Sequence, residues 1–162
     1  MKHYVTRHQP QQPLRMSAIA GTGGLLAIGA LGALSFYSSS PFIMAPFGAS
    51  CVLLFSAPTS PLSQPANVIG GHFVSALVGL LTRQVLPNEW WGVAIAIGLA
   101  ISIMAALRIT HPPAGAVPLA VFAENPGFEF LIMPVTIGAV LLVTIACFYH
   151  RLTRGIYPLR NS

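Results

Sequence analysis

The chain has 162 residues, of which 54% are hydrophobic and only 7% charged. A soluble domain carries roughly 25% charged residues, so this composition excludes an ordinary soluble protein and describes one compact integral membrane bundle. The formal net charge of +5 gathers at the two ends: Lys2, Arg7 and Arg15 precede the first apolar run, and Arg151, Arg154 and Arg160 follow the last. That distribution places both termini in the cytoplasm and identifies no nucleic-acid partner, since no basic patch is interleaved with aromatics on a soluble element.

Residues 1–15 are polar and Gln/Pro-rich and read as a short mobile tail. Residues 17–36 form an apolar, glycine-rich run of about 20 residues, longer than a signal-peptide core, and predict the first membrane helix. Residues 43–55 are apolar but span only about 20 Å as helix, short of a hydrocarbon core of ~30 Å. Residues 57–67 contain Pro58, Pro61 and Pro65 and cannot be continuous helix. A helix is predicted over 68–81, a polar turn over 82–89 and a spanning helix over 90–107. A second short apolar piece follows at 112–123, then a loop at 124–129, a span over 131–149, and a basic tail at 151–162.

Two short broken segments in matching places suggest an internal repeat. A shift of 67 residues puts Pro46-Phe47-Gly48-Ala49 on Pro113-Ala114-Gly115-Ala116, Phe55 on Phe122, Val68 on Val135 and Gly71 on Gly138. The halves, 17–82 and 85–149, then each read long helix, half-helix, long helix. The expected fold is an all-α polytopic bundle with two broken helices in a 3+3 inverted repeat, a common transporter solution. Four crossings, with the short pieces re-entrant, would instead make the halves parallel.

Polar chemistry concentrates at the two breaks. Arg108-Ile109-Thr110-His111-Pro112-Pro113 sets two ionisable groups and two prolines inside an apolar stretch, which lipid tolerates where the segment lines a path or a site. Thr110 can cap a helix that opens with Pro112 and Pro113, and Gly115 allows close approach to the backbone. A helix N-terminus beside Arg108 and His111 is chemically an anion site. Ser50 offers a donor in the partner turn. Ser63, Gln64 and Asn67 supply neutral polar groups, with Asn67 a candidate N-cap. Gly71, Ser75 and Gly79 make a small-residue stripe for close packing, and His72 beside it is expected to face protein. As a lone membrane histidine, His72 reads equally as an interhelical hydrogen-bond partner and as a pathway residue.

Other chemistries find little support. His72 and His111 could meet, but no carboxylate or thiolate accompanies them, so neither metal nor cofactor is expected. Cys51 and Cys147 read as inert buried thiols. The three acids, Glu89, Glu124 and Glu129, read as loop residues, and no nucleophile–base pair stands out, so an enzyme is not expected.

The run Thr110-His111-Pro112-Pro113-Ala114-Gly115-Ala116, together with Ser60-Pro61-Leu62-Ser63-Gln64-Pro65 and Asn67-Val68-Ile69-Gly70-Gly71-His72, resembles the HPP family of small integral membrane proteins. The likeness covers roughly residues 16–150. It implies an HPP transmembrane domain in a cell inner membrane and transport of a small monovalent anion, nitrite first. Arg108 would concentrate the anion, and His72 or His111 would carry a proton or donate a hydrogen bond. A homo-oligomer in the lipid bilayer is expected. A non-transporting scaffold or regulatory subunit, or a channel for water or a cation, remain alternatives.

Overall fold

In a computed structural model of the protein, residues 2–7, 10–38 and 40–159 are described; Arg160, one of the terminal cations, lies outside them. Lys2–Val5 form a 3-10 turn. Six α-helices follow: α1 Leu14–Ser38, α2 Ala45–Ser56, α3 Pro65–Val85, α4 Trp90–Ala106, α5 Val117–Glu124 and α6 Ile137–Thr153. A 3-10 turn, Pro112–Ala116, leads directly into α5. A π-helical piece, Leu131–Thr136, leads into α6. No strand occurs among the described residues.

The helix lengths follow the apolar runs. α1, α3 and the segment Leu131–Thr153 are long and apolar enough to cross a membrane. α2 has 12 residues and rises about 18 Å, well short of the hydrocarbon thickness. α5 has only 8. The two segments that the sequence marks as broken are the two shortest of the six α-helices, and α4, expected to span, has 17 residues and is likewise shorter than the three long apolar helices.

The boundaries correct the sequence reading in several places. α3 opens at Pro65, whose fixed φ suits a first helical position, and runs to Val85 through the expected polar turn. Asn67 thus lies inside the helix and caps nothing. Thr110 caps nothing either: His111 takes the N-cap position of the following turn, without a side-chain cap. The last span is not straight. Met133 leaves the helical region (φ −126°, ψ 117°) just before Pro134, which cannot supply the N–H a continuous helix requires. The basic C-terminal segment is not a free tail, because Tyr157 is buried in the core.

Two packed cores hold the bundle. One gathers Leu31, Phe42, Phe47, Leu54, Phe55 and Leu142 between α1, α2 and α6. The other gathers Ala76, Leu80, Val117, Val121, Phe130 and Val135 around α3 and α5. The Tyr149 hydroxyl adds a tie from α6 to α1 by donating to the Ile19 carbonyl at 2.7 Å.

Packing partners obey the 67-residue shift. α1 rests on α2 as α4 rests on α5. α2 rests on α6 as α5 rests on α3, and α1 on α6 as α4 on α3. Phe55 fills the space that a Cβ at Gly23 of α1 would take, and Phe122, its counterpart, lies against Gly92 of α4.

The small-residue stripe of α3 sits where two backbones nearly touch. A Cβ at Gly71 would come within 2.7 Å of His111 Cβ and 3.1 Å of the Ile109 carbonyl; one at Gly79 would meet Pro118 Cα at 3.2 Å. Between them Ser75 Oγ donates to the Ala114 carbonyl at 2.6 Å. α4 ends in a Schellman motif, with Arg108 N–H bonded to the Ala105 carbonyl and Ile109 N–H to the Met104 carbonyl. Arg108 occupies its left-handed position (φ 60°), where glycine is usual.

Two stability outcomes follow. Gly71→Ala should destabilise the protein by ~1–3 kcal/mol through overpacking against His111, whereas Gly115→Ala, where an added Cβ meets nothing within 4 Å, should change stability by less than about 0.5 kcal/mol. Arg108→Gly should stabilise by about 1 kcal/mol by relieving the left-handed backbone, while Arg108→Gln should not. Thermal and denaturant unfolding in detergent would measure all four.

Candidate functional site

The Pro112–Ala116 turn and the segment 60–67 meet over the middle of the bundle, and His111 joins them. Its ring has no solvent exposure. Nδ1 stands 2.8 Å from the Leu62 carbonyl, and Nε2 stands 2.8 Å from Ser50 Oγ of α2. A carbonyl only accepts, so Nδ1 carries a hydrogen and donates to Leu62. In the neutral ring Nε2 then accepts the Ser50 hydroxyl. Ser50 Oγ also lies 3.0 Å from the Pro46 carbonyl, and one hydroxyl proton cannot serve both acceptors. With a proton on Nε2, the ring donates to Ser50 and Ser50 donates to Pro46, so every partner is used.

His72 lies beside it, also without exposure. The two imidazole centroids are 5.1 Å apart, and Phe47 covers His72 at the same distance. His72 Nδ1 donates to the Val68 carbonyl of its own helix at 2.8 Å. Nε2 is buried and has no hydrogen-bond partner. The interhelical hydrogen bond open to a lone membrane histidine is therefore not made.

The remaining sequence candidates divide between this cluster and its surroundings. Asn67 Nδ2 donates to the Thr110 carbonyl at 2.9 Å, a second stitch between the two motif-bearing segments. Gly71 sets the spacing of His111. Pro113 is buried and Pro112 exposed on the opening turn. Gln64 serves the loop instead: Nε2 donates to the Pro58 and Ser60 carbonyls, and Oε1 accepts from Leu159 N–H. Arg108 is exposed at the end of α4 and Gly115 is half-buried. The turn itself offers few donors to an anion, because Pro112 and Pro113 have no N–H and that of Ala114 is bonded to the His111 carbonyl. The imidazoles are the polar groups through which the cluster can act on a solute.

A Ser–His contact of this length is also the beginning of a nucleophile–base pair, which the sequence did not reveal because the two residues lie 61 apart. Here both groups are fully buried and Ser50 has a second acceptor. The contact locks α2 to the Pro112–Ala116 turn. Sequence reasoning placed Ser75 on the packing stripe without its bond to Ala114, and nothing in the residue pattern indicates that the Leu62 carbonyl orients His111.

Above the cluster, α2 and the opening turn leave an apolar groove of about 530 Å³, lined by Ala45, Pro46, Ala49, Leu53, Pro112, Pro113 and Ala116. Pro46 and Pro113, and Ala49 and Ala116, which the 67-residue shift superposes, face each other across this groove. Among the described residues no group of three or more His, Cys, Asp or Glu side chains could hold a metal ion.

Comparison with known proteins agrees with these motifs. Residues 9–158 match the family model described as HPP, transmembrane region. Two transmembrane proteins of Dictyostelium discoideum are similar: one is 36% identical over 126 residues, covering 72% of this chain and 44% of its own length, and the other is 39% identical over 121 residues, covering 70% and 39%. The chain thus spans less than half the length of these relatives. No solved structure matches it. The match over nearly the whole chain, with the His-Pro-Pro turn at its polar centre, makes this protein a multi-pass member of the HPP transmembrane family.

Proposed function

We propose that the protein carries a small monovalent anion, nitrite first, across a cell inner membrane, through a path at the two broken-helix turns. The observation that carries this reading is the buried His72–His111 pair where both halves of the bundle meet. No carboxylate stands beside it among the described residues: Glu89, Glu124 and Glu129 are all exposed. A positive charge arising on either ring in this low-dielectric setting would have to be neutralised by an anion. Full burial of both rings supports a closed resting state, in which a solute reaches them only after the short helices move. That behaviour suits a transporter built on an inverted repeat with both termini cytoplasmic. Nitrite itself follows from the family resemblance.

In this reading the candidate residues have different tasks. Arg108, exposed beside the motif, raises the local anion concentration. His111 and His72 meet the anion, and Ser50 holds the His111 ring in place. Asn67, Thr110, Gly71, Pro112, Pro113 and Gly115 shape the turn around them, and Gln64 holds the loop. A homo-oligomer is part of the proposal, as a 17.1 kDa bundle exposes much apolar surface.

Purified protein in liposomes should carry nitrite above the rate of empty liposomes, with formate, nitrate and chloride defining selectivity. No flux for any of the four would overturn the transport reading in favour of a membrane scaffold. Arg108→Gln should lower nitrite flux several-fold at low ionic strength and much less at 0.1 M salt or above, where the Debye length is ~10 Å or shorter; Arg108→Lys should retain part of the flux. Equal flux in wild type and Arg108→Gln at low salt would remove Arg108 from the path.

A further inference from the structure

We propose that the carried unit is one anion together with one proton, the proton being held at Nε2 of His72, so that transport moves no net charge. This rests on the anion-transport reading and deepens it. The starting point is the unpartnered Nε2 of a fully buried ring. A buried polar atom without a partner is rare and asks for a reason. Nδ1 of His72 is tied to the Val68 carbonyl, which fixes the neutral tautomer and leaves the lone pair at Nε2.

A nitrite or other bare anion has only acceptors, so it cannot bond to that lone pair. With a proton on Nε2 the ring becomes a cationic donor aimed at no protein acceptor. The anion then supplies both the hydrogen-bond partner and the opposite charge. Atoms and charge balance: a proton leaves the bulk for the Nε2 lone pair, an anion oxygen accepts the new N–H, and both leave together on the other side.

The surroundings restrict the site to one proton. The rings of Phe47 from α2 and of His111 before the Pro112–Ala116 turn lie tilted against His72. Two imidazolium rings 5.1 Å apart would repel strongly. The other charged or titratable groups on elements packed against α3 lie elsewhere. Arg108 after α4, Glu124 at the end of α5, Glu129 before the last span and Arg151 on α6 are exposed. His150 Nε2 is bonded to the Leu54 carbonyl and Tyr149 to the Ile19 carbonyl. Arg83, at the far end of α3, lies over the Phe122 ring. Cys51 and Cys147 face the α1, α2 and α6 core. Among the titratable groups named here only the His111 ring lies against His72, and it can hold a proton with all its bonds to Leu62 and Ser50 intact. It is therefore the place where the proton waits, and His72 the place where it meets the anion.

The experiment uses wild-type protein in liposomes with a trapped pH dye and a valinomycin-clamped potassium potential. Nitrite entry should bring one proton per anion, rise about tenfold per unit of outside acidification until saturation, and stay unchanged when the potential is clamped at opposite signs. Flux that carries current and no proton would overturn this inference while leaving anion transport intact; no flux at all would instead sink the transport reading. His72→Gln should lose proton-coupled nitrite entry by more than tenfold while His3→Gln keeps it, and one-to-one coupling surviving in His72→Gln would overturn the assignment to this ring. Should His72→Gln fail to fold, solid-state nitrogen NMR of ring-labelled wild type decides: nitrite at about pH 6 should convert one buried neutral imidazole signal to imidazolium, and no conversion overturns the proposal.

Discussion

The architecture depends on one buried imidazole. His111 reaches from the turn before α5 to the Leu62 carbonyl on one side and to Ser50 of α2 on the other. In a bilayer the free backbone groups of broken helices must be satisfied inside the protein. The prolines that break the helices free such groups, and the histidine takes up one of them. Removing the ring would strand the Leu62 carbonyl, a penalty of ~1–3 kcal/mol for an unpaired buried acceptor. The rest of the local packing positions this ring. Gly71 leaves room for its Cβ, Asn67 ties down the Thr110 carbonyl beside it, and Ser75 satisfies the Ala114 carbonyl one turn later.

Much of this was legible in the residues, because the strongest signals are local. Pro58, Pro61 and Pro65 keep α2 from running on into α3 whatever surrounds them. The Gly71–Ser75–Gly79 spacing marks a face on which another backbone lies close, whichever element that is. Apolar run length separates the short helices from the long ones. The misreadings arose where a side chain had a choice of partner. Asn67 and Thr110 both look like caps, but Pro65 and His111 take the helix starts. That frees the Asn67 amide to bond to the Thr110 carbonyl 43 residues away. The run around Pro134 is uniformly apolar and so hides the kink, because apolarity does not restore a missing N–H. The Ser50–His111 and Leu62–His111 contacts have no sequence signature, since distance along the chain carries no information about which carbonyl a ring will meet.

The left-handed Arg108 shows a different kind of constraint. A Schellman ending suits glycine, and a residue with a Cβ pays about 1 kcal/mol to stand there. Glycine would end the helix equally well, so helix termination alone does not require arginine. The position brings a permanent cation to the surface within three residues of His111. Local strain held at such a place is consistent with selection for the charge rather than for stability.

The packing follows the 67-residue shift while the chemistry does not. Under the 67-residue shift Phe55 corresponds to Phe122 and Gly71 to Gly138, both pairs in comparable packing roles. His111, however, corresponds to Met44, His72 to Ala139 and Ser50 to Val117. The first half supplies Ser50, Leu62 and His72, and the second supplies His111, so a single polar centre is assembled from both halves. A movement that displaced one half against the other would act directly on the Ser50–His111 and Leu62–His111 bonds. These contacts are the only side-chain hydrogen bonds among the described residues that the His111 ring makes, and they join the halves at the same place where the apolar groove separates Pro46 from Pro113. A movement that opened the groove would therefore also act on the bonds that hold His111.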